Sequence, residues 1–396
     1  MDLNSPFDEL PEGLVNDLLA NSKIISNNMR AKFESVMNNK SQLREKLETE
    51  KLIKNYNDLD NTKTFPTAAA TDGSYTVERL ISSDFASVAA VAVEGLTPPG
   101  PERRKWPKPR YFSHIDNVEH NEETSQILRG MSAGLELYLA QKAPHDVVFL
   151  DGSMKTPLIY LNNATEHLDD GPVSLVNTFI EGKNSYNEDK IPYPNFSDII
   201  NAYEEVLKSP RSDKIYAALP KYTTKNEICK KLGLDNFEDR GLLNFLLNGN
   251  EYLVIPSDNS GSTLHLNLKS SKLNEKFNTN IIKNQVQNMI ENLLSNIDVI
   301  YFKPSNFSPV LRIETSRSVS QNTHRLGILF EGITLQMNSL SLMEPYPLYL
   351  ADRMVKNLST ALPAIKEEAF KEIMNNWNGN LSEIYMAMHG YRTEGR

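Results

Sequence analysis

Apolar positions along this 396-residue chain follow two rhythms, and the change between them divides it. Over residues 8–56 they recur at helical spacing: Ile25, Met29, Phe33, Val36 and Met37, then Leu43 and Leu47, with charged residues on the opposite face. The pattern predicts a long helical region broken once. It lacks the sustained heptads of a long coiled coil. Such a helix either packs on its own domain or acts as a dimer arm or partner-docking element. Residues 55–64 are polar, with Asp and Asn clustered, and read as a linker. Beyond it the apolar runs become short and continuous, as in strands covered on both faces. Strands are predicted up to Asp72, over 85–94, over 110–115 and over 147–150. A helix over 122–142 has Ile127, Leu128, Met131, Leu135 and Leu139 as its stripe, and Pro144 stops it.

The remainder alternates. Residues 162–211 are polar and mixed, with a loop at Ile191-Pro192-Tyr193-Pro194 and a helix over 196–207. Strands are expected over 215–219, 249–255 and 264–268, and a pair over 299–302 and 310–313. Helices are expected after Lys221 through 232, over 239–247, over 281–294 and over 347–359, with a last one ending near Trp377. The organisation expected is an N-terminal helical arm and linker over 1–64, then one α/β domain over 65–396 with an insertion around 162–211.

Within this pattern one short signature occurs twice. Asp72-Gly73-Ser74 closes the first strand and Asp151-Gly152-Ser153 closes the fourth. Each acid stands where a buried strand would emerge from the core, and Gly73 would let the backbone turn sharply. Strand, strand, strand, helix, strand is the opening order of a ribonuclease H-like fold: a mixed sheet flanked by helices, with carboxylates at strand ends to hold divalent metal. Two such acids plus a third from a facing helix can bridge two hard cations about 4 Å apart and promote in-line phosphodiester displacement. Glu136 and Glu123 are the alternatives for the third acid. Glu136 is nearer Asp151 in sequence, and Glu123 lies on the side of Ile127, Gly130 and Gly134.

Composition narrows the chemistry further. The one cysteine, Cys229, excludes an intramolecular disulfide and a multi-cysteine zinc site. No apolar run is long enough to span a bilayer and the N-terminus lacks signal-peptide features, so a cytoplasmic protein without membrane contact is expected. A net charge of −9 argues against simple coating of nucleic acid, yet a local basic surface can hold phosphates. The basic loop carrying Arg103, Arg104, Lys105 and Trp106 is the candidate for tracking a DNA backbone and stacking a base. Lys221, just after a predicted strand, is a candidate for neutralising a phosphate. A hydrolase of small phosphoesters would share the carboxylates, but no dedicated phosphate loop is present.

Several separated stretches together resemble the NurA family of DNA repair nucleases: Thr71-Asp-Gly-Ser74, Val148-Phe-Leu-Asp-Gly-Ser153, Tyr301-Phe-Lys-Pro304 with Val310-Leu-Arg-Ile-Glu314, and Tyr346-Pro-Leu-Tyr-Leu-Ala-Asp352. Weaker echoes are Ala217-Ala-Leu-Pro-Lys221 and Gly249-Asn-Glu-Tyr252. The resemblance implies a ribonuclease H-like core, Mn2+- or Mg2+-dependent cleavage of DNA, a homodimer and a HerA-like hexameric ATPase as partner. It maps Asp72 and Asp151 onto metal-binding aspartates. Where the family has Ala-His on the last helix, this chain has Ala351-Asp352, so Asp352 becomes a candidate ligand and a His-dependent proton transfer is not expected. The family's helix glutamate would fall near residues 131–134, where there is no acid. Either Glu136 or Glu123 takes that role, or the chain is a catalytically weak subunit that docks on the ATPase and regulates it.

Overall fold

The computed structural model of the chain describes residues 10–59, 65–183, 185, 190–221, 226–234, 237–257, 264–337 and 342–389. Parts of several expected features lie outside them: the start of the N-terminal arm, the linker at 60–64, residues 184 and 186–189 of the insertion, and the segment 222–225 after Lys221. The described residues form two compact units, one from 1–53 with 224–247 and the other from 54–223 with 248–396.

In the first unit, α1 (Glu12–Asn38) and α2 (Lys40–Thr49) are separated at Asn39, the single break the pattern predicts. The stripe divides unevenly. Val36, Leu43 and Leu47 are buried, whereas Ile25, Met29 and Met37 are exposed. The short helix Asp239–Leu246 packs on this pair, with Phe33 and Phe245 in ring contact and the Arg44 guanidinium donating to the Leu246 carbonyl at 2.7 Å.

The second unit is built on a nine-stranded sheet. Its strands are β1 (Lys54–Asn55), β2 (Ala68–Arg79), β3 (Asp84–Glu94), β4 (Arg110–Val118), β5 (Val147–Asp151), β6 (Ile215–Leu219), β7 (Glu251–Ile255), β8 (Ile297–Lys303) and β9 (Leu311–Ser316). They lie in the order β1-β7-β8-β9-β6-β5-β2-β3-β4. β2, β3 and β4 form an antiparallel meander, and β5 joins β2 in parallel with Thr71 opposite Leu150. β6 is parallel to β5, and the four strands beyond it are each antiparallel to their neighbour. The segment β4-β3-β2-β5-β6 is the expected ribonuclease H-like arrangement.

Alternation along the central strands explains their unbroken apolar runs. Ala69, Val148 and Leu150 face a core shared with α3 (Thr124–Lys142), α4 (Thr156–Glu166), α5 (Val173–Glu181) and α6 (Phe196–Lys208). Ala68, Ala70, Val147 and Phe149 face a second core with α7 (Thr323–Gln336), where Phe302 stacks on Phe330. The sheet is thus covered on both sides, and the alanines of β2 admit the close approach of helices to its middle.

Four local expectations are corrected. Asp72 does not end its strand: β2 runs on to Arg79, because β3 pairs with it along its whole length. The apolar run stops there because β2 overhangs β5 beyond Thr71 and is less buried beyond Asp72. Gly73 makes no turn, and its role is close packing against α3. Leu264, Leu266 and Leu268 pack on the first core but form no strand, since no described neighbour offers them a ladder. The two C-terminal helices are one, α8 (Tyr346–Asn376), which passes through Pro363.

Candidate metal centre

Three strands and two helices deliver acids and a cation to one end of the sheet. β5 stops at Asp151 because Gly152 takes up a positive φ of 80°, a conformation that costs an L side chain ~1–2 kcal/mol. The turn is held from below. Glu314 on β9 accepts from the Ser153 hydroxyl at 2.6 Å and from the Met154 amide at 3.0 Å. Arg312 pairs with Glu314 at 2.9 Å and donates to the Tyr301 hydroxyl at 3.0 Å, while the Tyr203 hydroxyl donates to the Met154 carbonyl. Glu314, Arg312, Tyr301 and Tyr203 are all buried. The separated stretches around Tyr301 and Val310–Glu314 therefore act together to fix the loop that follows Asp151.

Asp72 reaches the same place from the adjacent strand, one residue past the β2–β5 pairing. Gly73 beside it is crossed closely by α3. A Cβ there would lie 2.5 Å from the Ser132 hydroxyl and 2.9 Å from the Ser132 carbonyl oxygen. One turn further along α3 stands Glu136, in the cleft. Asp352 projects from the first turns of α8. Asp72, Asp151 and Asp352 each offer a carboxylate oxygen, and these oxygens all lie within 4.8 Å of one another. The cleft around them has a volume of about 580 Å³.

The charges in this cleft are unbalanced. Burial pushes the Asp72 carboxyl up, Asp151 and Asp352 push it further, and the Gly73 N–H and Lys221 only partly oppose them, leaving it at about 7. Glu136 is raised well above the ordinary carboxyl range by burial first, then by Asp72 and Asp151, with the nearby Asp151 backbone N–H opposing only weakly. Lys221, after β6, is a cation set among these acids. Its ammonium lies 3.0 Å from Asp151, 3.2 Å from Glu344 and 3.7 Å from Asp352. Burial works against its charge, but these carboxylates outweigh burial and raise its pKa. Lys356 pairs with Asp352 across one helical turn at 2.7 Å. Three carboxylate oxygens this close, beside the raised Asp72 and Glu136 carboxyls, form a donor set suited to hard divalent cations, which would take up the excess negative charge.

The other sequence candidates lie elsewhere. Glu123 precedes α3 at the end remote from Glu136, ~20 Å away along the helix axis, and pairs with His167 at 2.9 Å. It is corrected as a metal ligand. The loop after β3 lies where β2 and β5 begin, because β3 is antiparallel to both: the Gly95 amide donates to the Ala68 carbonyl. Arg103, Arg104, Lys105 and Trp106 are therefore at the opposite end of the sheet from the acids. Trp106 is only 6% exposed and packs edge-on against His145, so the expectation that it stacks a base is overturned. The Lys105 and Trp106 amides bind the Glu94 carboxylate, the Arg104 side chain donates to the Trp106 carbonyl, and Arg103 donates to the Pro98 carbonyl. The cation–aromatic pattern there builds a loop.

Sequence reasoning missed four residues of the cleft or its rim. Glu344, before α8, has its carboxyl raised by burial, with Lys221 opposing. Tyr75, Arg129 and Tyr160 line the side of the cleft formed by α3 and α4.

Among solved structures, the NurA nuclease from Sulfolobus solfataricus aligns over 93% of this chain and 100% of its own, with a TM-score of 0.56 and 14% sequence identity. The chain has the NurA fold. Another NurA structure, bound to dAMP and manganese, aligns over 90% of this chain and 98% of its own with a TM-score of 0.44 and 12% identity. No protein-family model matches the sequence, and no curated protein does.

Proposed function

We propose that the chain is a divalent-metal-dependent DNA nuclease of the NurA family. The observation that carries the reading is the convergence of Asp72, Asp151 and Asp352 within 4.8 Å, with Glu136 alongside, at the strand ends of a ribonuclease H-like sheet. Mn2+ or Mg2+ bound by such carboxylates supplies an activated water and stabilises the leaving oxygen of a phosphodiester. The chain's own residues do the rest. Asp72, Asp151 and Asp352 bind the cations, Glu136 completes the donor set, and the Glu314–Arg312 pair orients the Asp151 turn. Lys221 is placed to neutralise a substrate phosphate once metal takes over the carboxylates that it now pairs with.

The alternative, a weak subunit that only docks on and regulates an ATPase, depends on a missing helix acid. Glu136 in the cleft supports the active enzyme instead. In this reading the chain cuts single strands and resects duplex ends as a cytoplasmic homodimer, driven by a HerA-like hexameric translocase in DNA repair or anti-phage defence. The reading can be tested by incubating labelled single- and double-stranded DNA with wild type and Asp151→Ala in Mn2+, Mg2+ or EDTA. Cleavage that needs metal and disappears in Asp151→Ala is the expected result. Cleavage that survives in both the mutant and EDTA would sink it. Cleavage only when the ATPase is added would retain the nuclease and make it partner-dependent.

A further inference from the structure

Arg129 is a cation with unusual company. It lies in a cleft rich in carboxylates, yet it has no ion pair with an acid among the described residues. Its neighbours are two aromatic rings. The guanidinium carbon sits 5.7 Å from the centroid of Tyr75 and 5.1 Å from that of Tyr160. All three side chains are half-exposed and line the cleft. They come from three elements: Tyr75 from the overhang of β2, Arg129 from α3 and Tyr160 from α4. Nothing in the folding of the acids requires this arrangement, since Glu136 is set by the Ser132–Gly73 contact.

Position gives the trio its meaning. Arg129 precedes Glu136 by seven residues on one helix, ~10 Å along its axis. Tyr75 follows Asp72 on β2, which runs outward beyond the end of β5. The trio thus stands on the outer side of the carboxylates, a distance of about three base steps in a B-form strand and fewer in an extended one. Two half-exposed tyrosine rings offer faces to unpaired bases, and a guanidinium without an acidic partner offers its donors to a backbone phosphate. A paired base has its faces covered by its neighbours in the duplex and cannot use such a platform without unstacking.

Building on the nuclease reading, we infer that Tyr75, Arg129 and Tyr160 form a subsite for unpaired nucleotides flanking the cleaved phosphate, and that this subsite makes the enzyme favour single-stranded over fully paired DNA. Tyr160 and Tyr75 stack bases, and Arg129 holds the phosphate between them while keeping both rings in place.

The test uses the full chain and labelled oligonucleotides carrying one abasic position moved stepwise through the strand, with binding read by fluorescence anisotropy in EDTA and cleavage read in Mn2+. With wild type, an abasic nucleotide within about three positions of the cut should weaken binding some 5- to 100-fold, roughly the range expected from losing one stacked base. Abasic positions further away should have little effect. Tyr160→Leu should abolish this dip, and Tyr160→Phe should keep it. Arg129→Gln should lower the salt slope on single strands by about 0.7, the contribution of one phosphate, and Arg129→Lys should restore it. The Leu and Gln variants should lose preference for single-stranded over blunt duplex substrate. A wild-type enzyme that cuts DNA with a flat abasic profile overturns the subsite and leaves the nuclease standing. A wild type that neither binds nor cuts DNA, alone or with the ATPase added, overturns both. Because the abasic scan is made on the wild-type protein, poor folding of a variant does not remove the test.

Discussion

Asp72 shows how a single side chain couples stability, pH and metal. Its carboxyl is held at about 7, well above its value in an unfolded chain, so between about pH 4 and 7 the folded state binds more protons than the unfolded state. Its contribution therefore destabilises the metal-free protein as pH rises through that window, and the cost is fully present above it. Comparing wild type with Asp72→Asn in EDTA isolates this effect. Thermal unfolding should show the mutant gaining stability relative to wild type from pH 5 to pH 8, by about 1–3 kcal/mol. Mn2+ should raise the wild-type Tm more at pH 8 than at pH 5 and should do little for the mutant. An identical pH trend in both proteins would mean that Asp72 ionises normally. Gly73 makes a second point at this scale. Its Cβ would strike both the hydroxyl and the carbonyl of Ser132, and the carbonyl belongs to the α3 backbone and cannot swing away. Gly73→Ala should cost about 1–3 kcal/mol of stability by overpacking and should displace Glu136, so that cleavage falls further than stability alone explains. Urea unfolding alongside single-turnover cleavage would separate the two losses.

Among the elements, the loop after β5 depends on a strand that contributes no residue to the cleft lining. β9 places Glu314 beneath Ser153 and Met154 and balances it with Arg312. Removing one member of a buried ion pair strands the other, which typically costs about 3–5 kcal/mol. Glu314→Ala should therefore lower stability by that order and reduce Mn2+ affinity, because Asp151 loses its fixed direction. Isothermal titration with Mn2+ on the folded mutant checks the second effect, and undiminished affinity would show that the clamp serves folding alone. The helices illustrate where periodicity is a good guide. The apolar stripe of α3 is buried at Ile127, Leu128, Met131, Leu135 and Leu139 as its spacing predicts. The extended leucines at 264, 266 and 268 have the right alternation but no strand beside them, since alternation records which side is buried and hydrogen-bonding partners come from topology. Pro363 has no preceding-carbonyl bond to make, yet α8 continues through it, which local propensity argues against.

Across the whole molecule, charge separates the two ends of the sheet. The acids and Lys221 gather where β5 and β6 end, and the Arg103–Lys105 loop lies where β2 and β5 begin. Neutralising Arg103, Arg104 and Lys105 together should therefore leave the salt dependence of DNA binding at the cleft unchanged, whereas Lys221→Gln should reduce it. Parallel salt titrations would decide, and a flattened slope in the triple variant would show that DNA runs across both ends. No helix among the described residues is long and apolar enough to cross a membrane.

Residue order alone was enough to read the strand and helix succession from 67 to 151 and the two Asp-Gly-Ser acids, whereas Asp352 became a candidate only through the family resemblance. Those signals are local: a buried strand must be apolar throughout, and an acid that interrupts such a run stands out. Glu136 and Glu123 stay equal at that level, because both are acids near one helix and only the direction of α3 across β2 separates them. Trp106 and its cations read as a DNA contact, because composition cannot tell a platform from a buried anchor. Burial against His145 and the antiparallel return of β3 decided that. The Tyr75–Arg129–Tyr160 trio and Glu344 were beyond reach for the same reason. Their neighbours are distant along the chain, and the chemistry of a side chain in a cleft is set by what the fold brings against it.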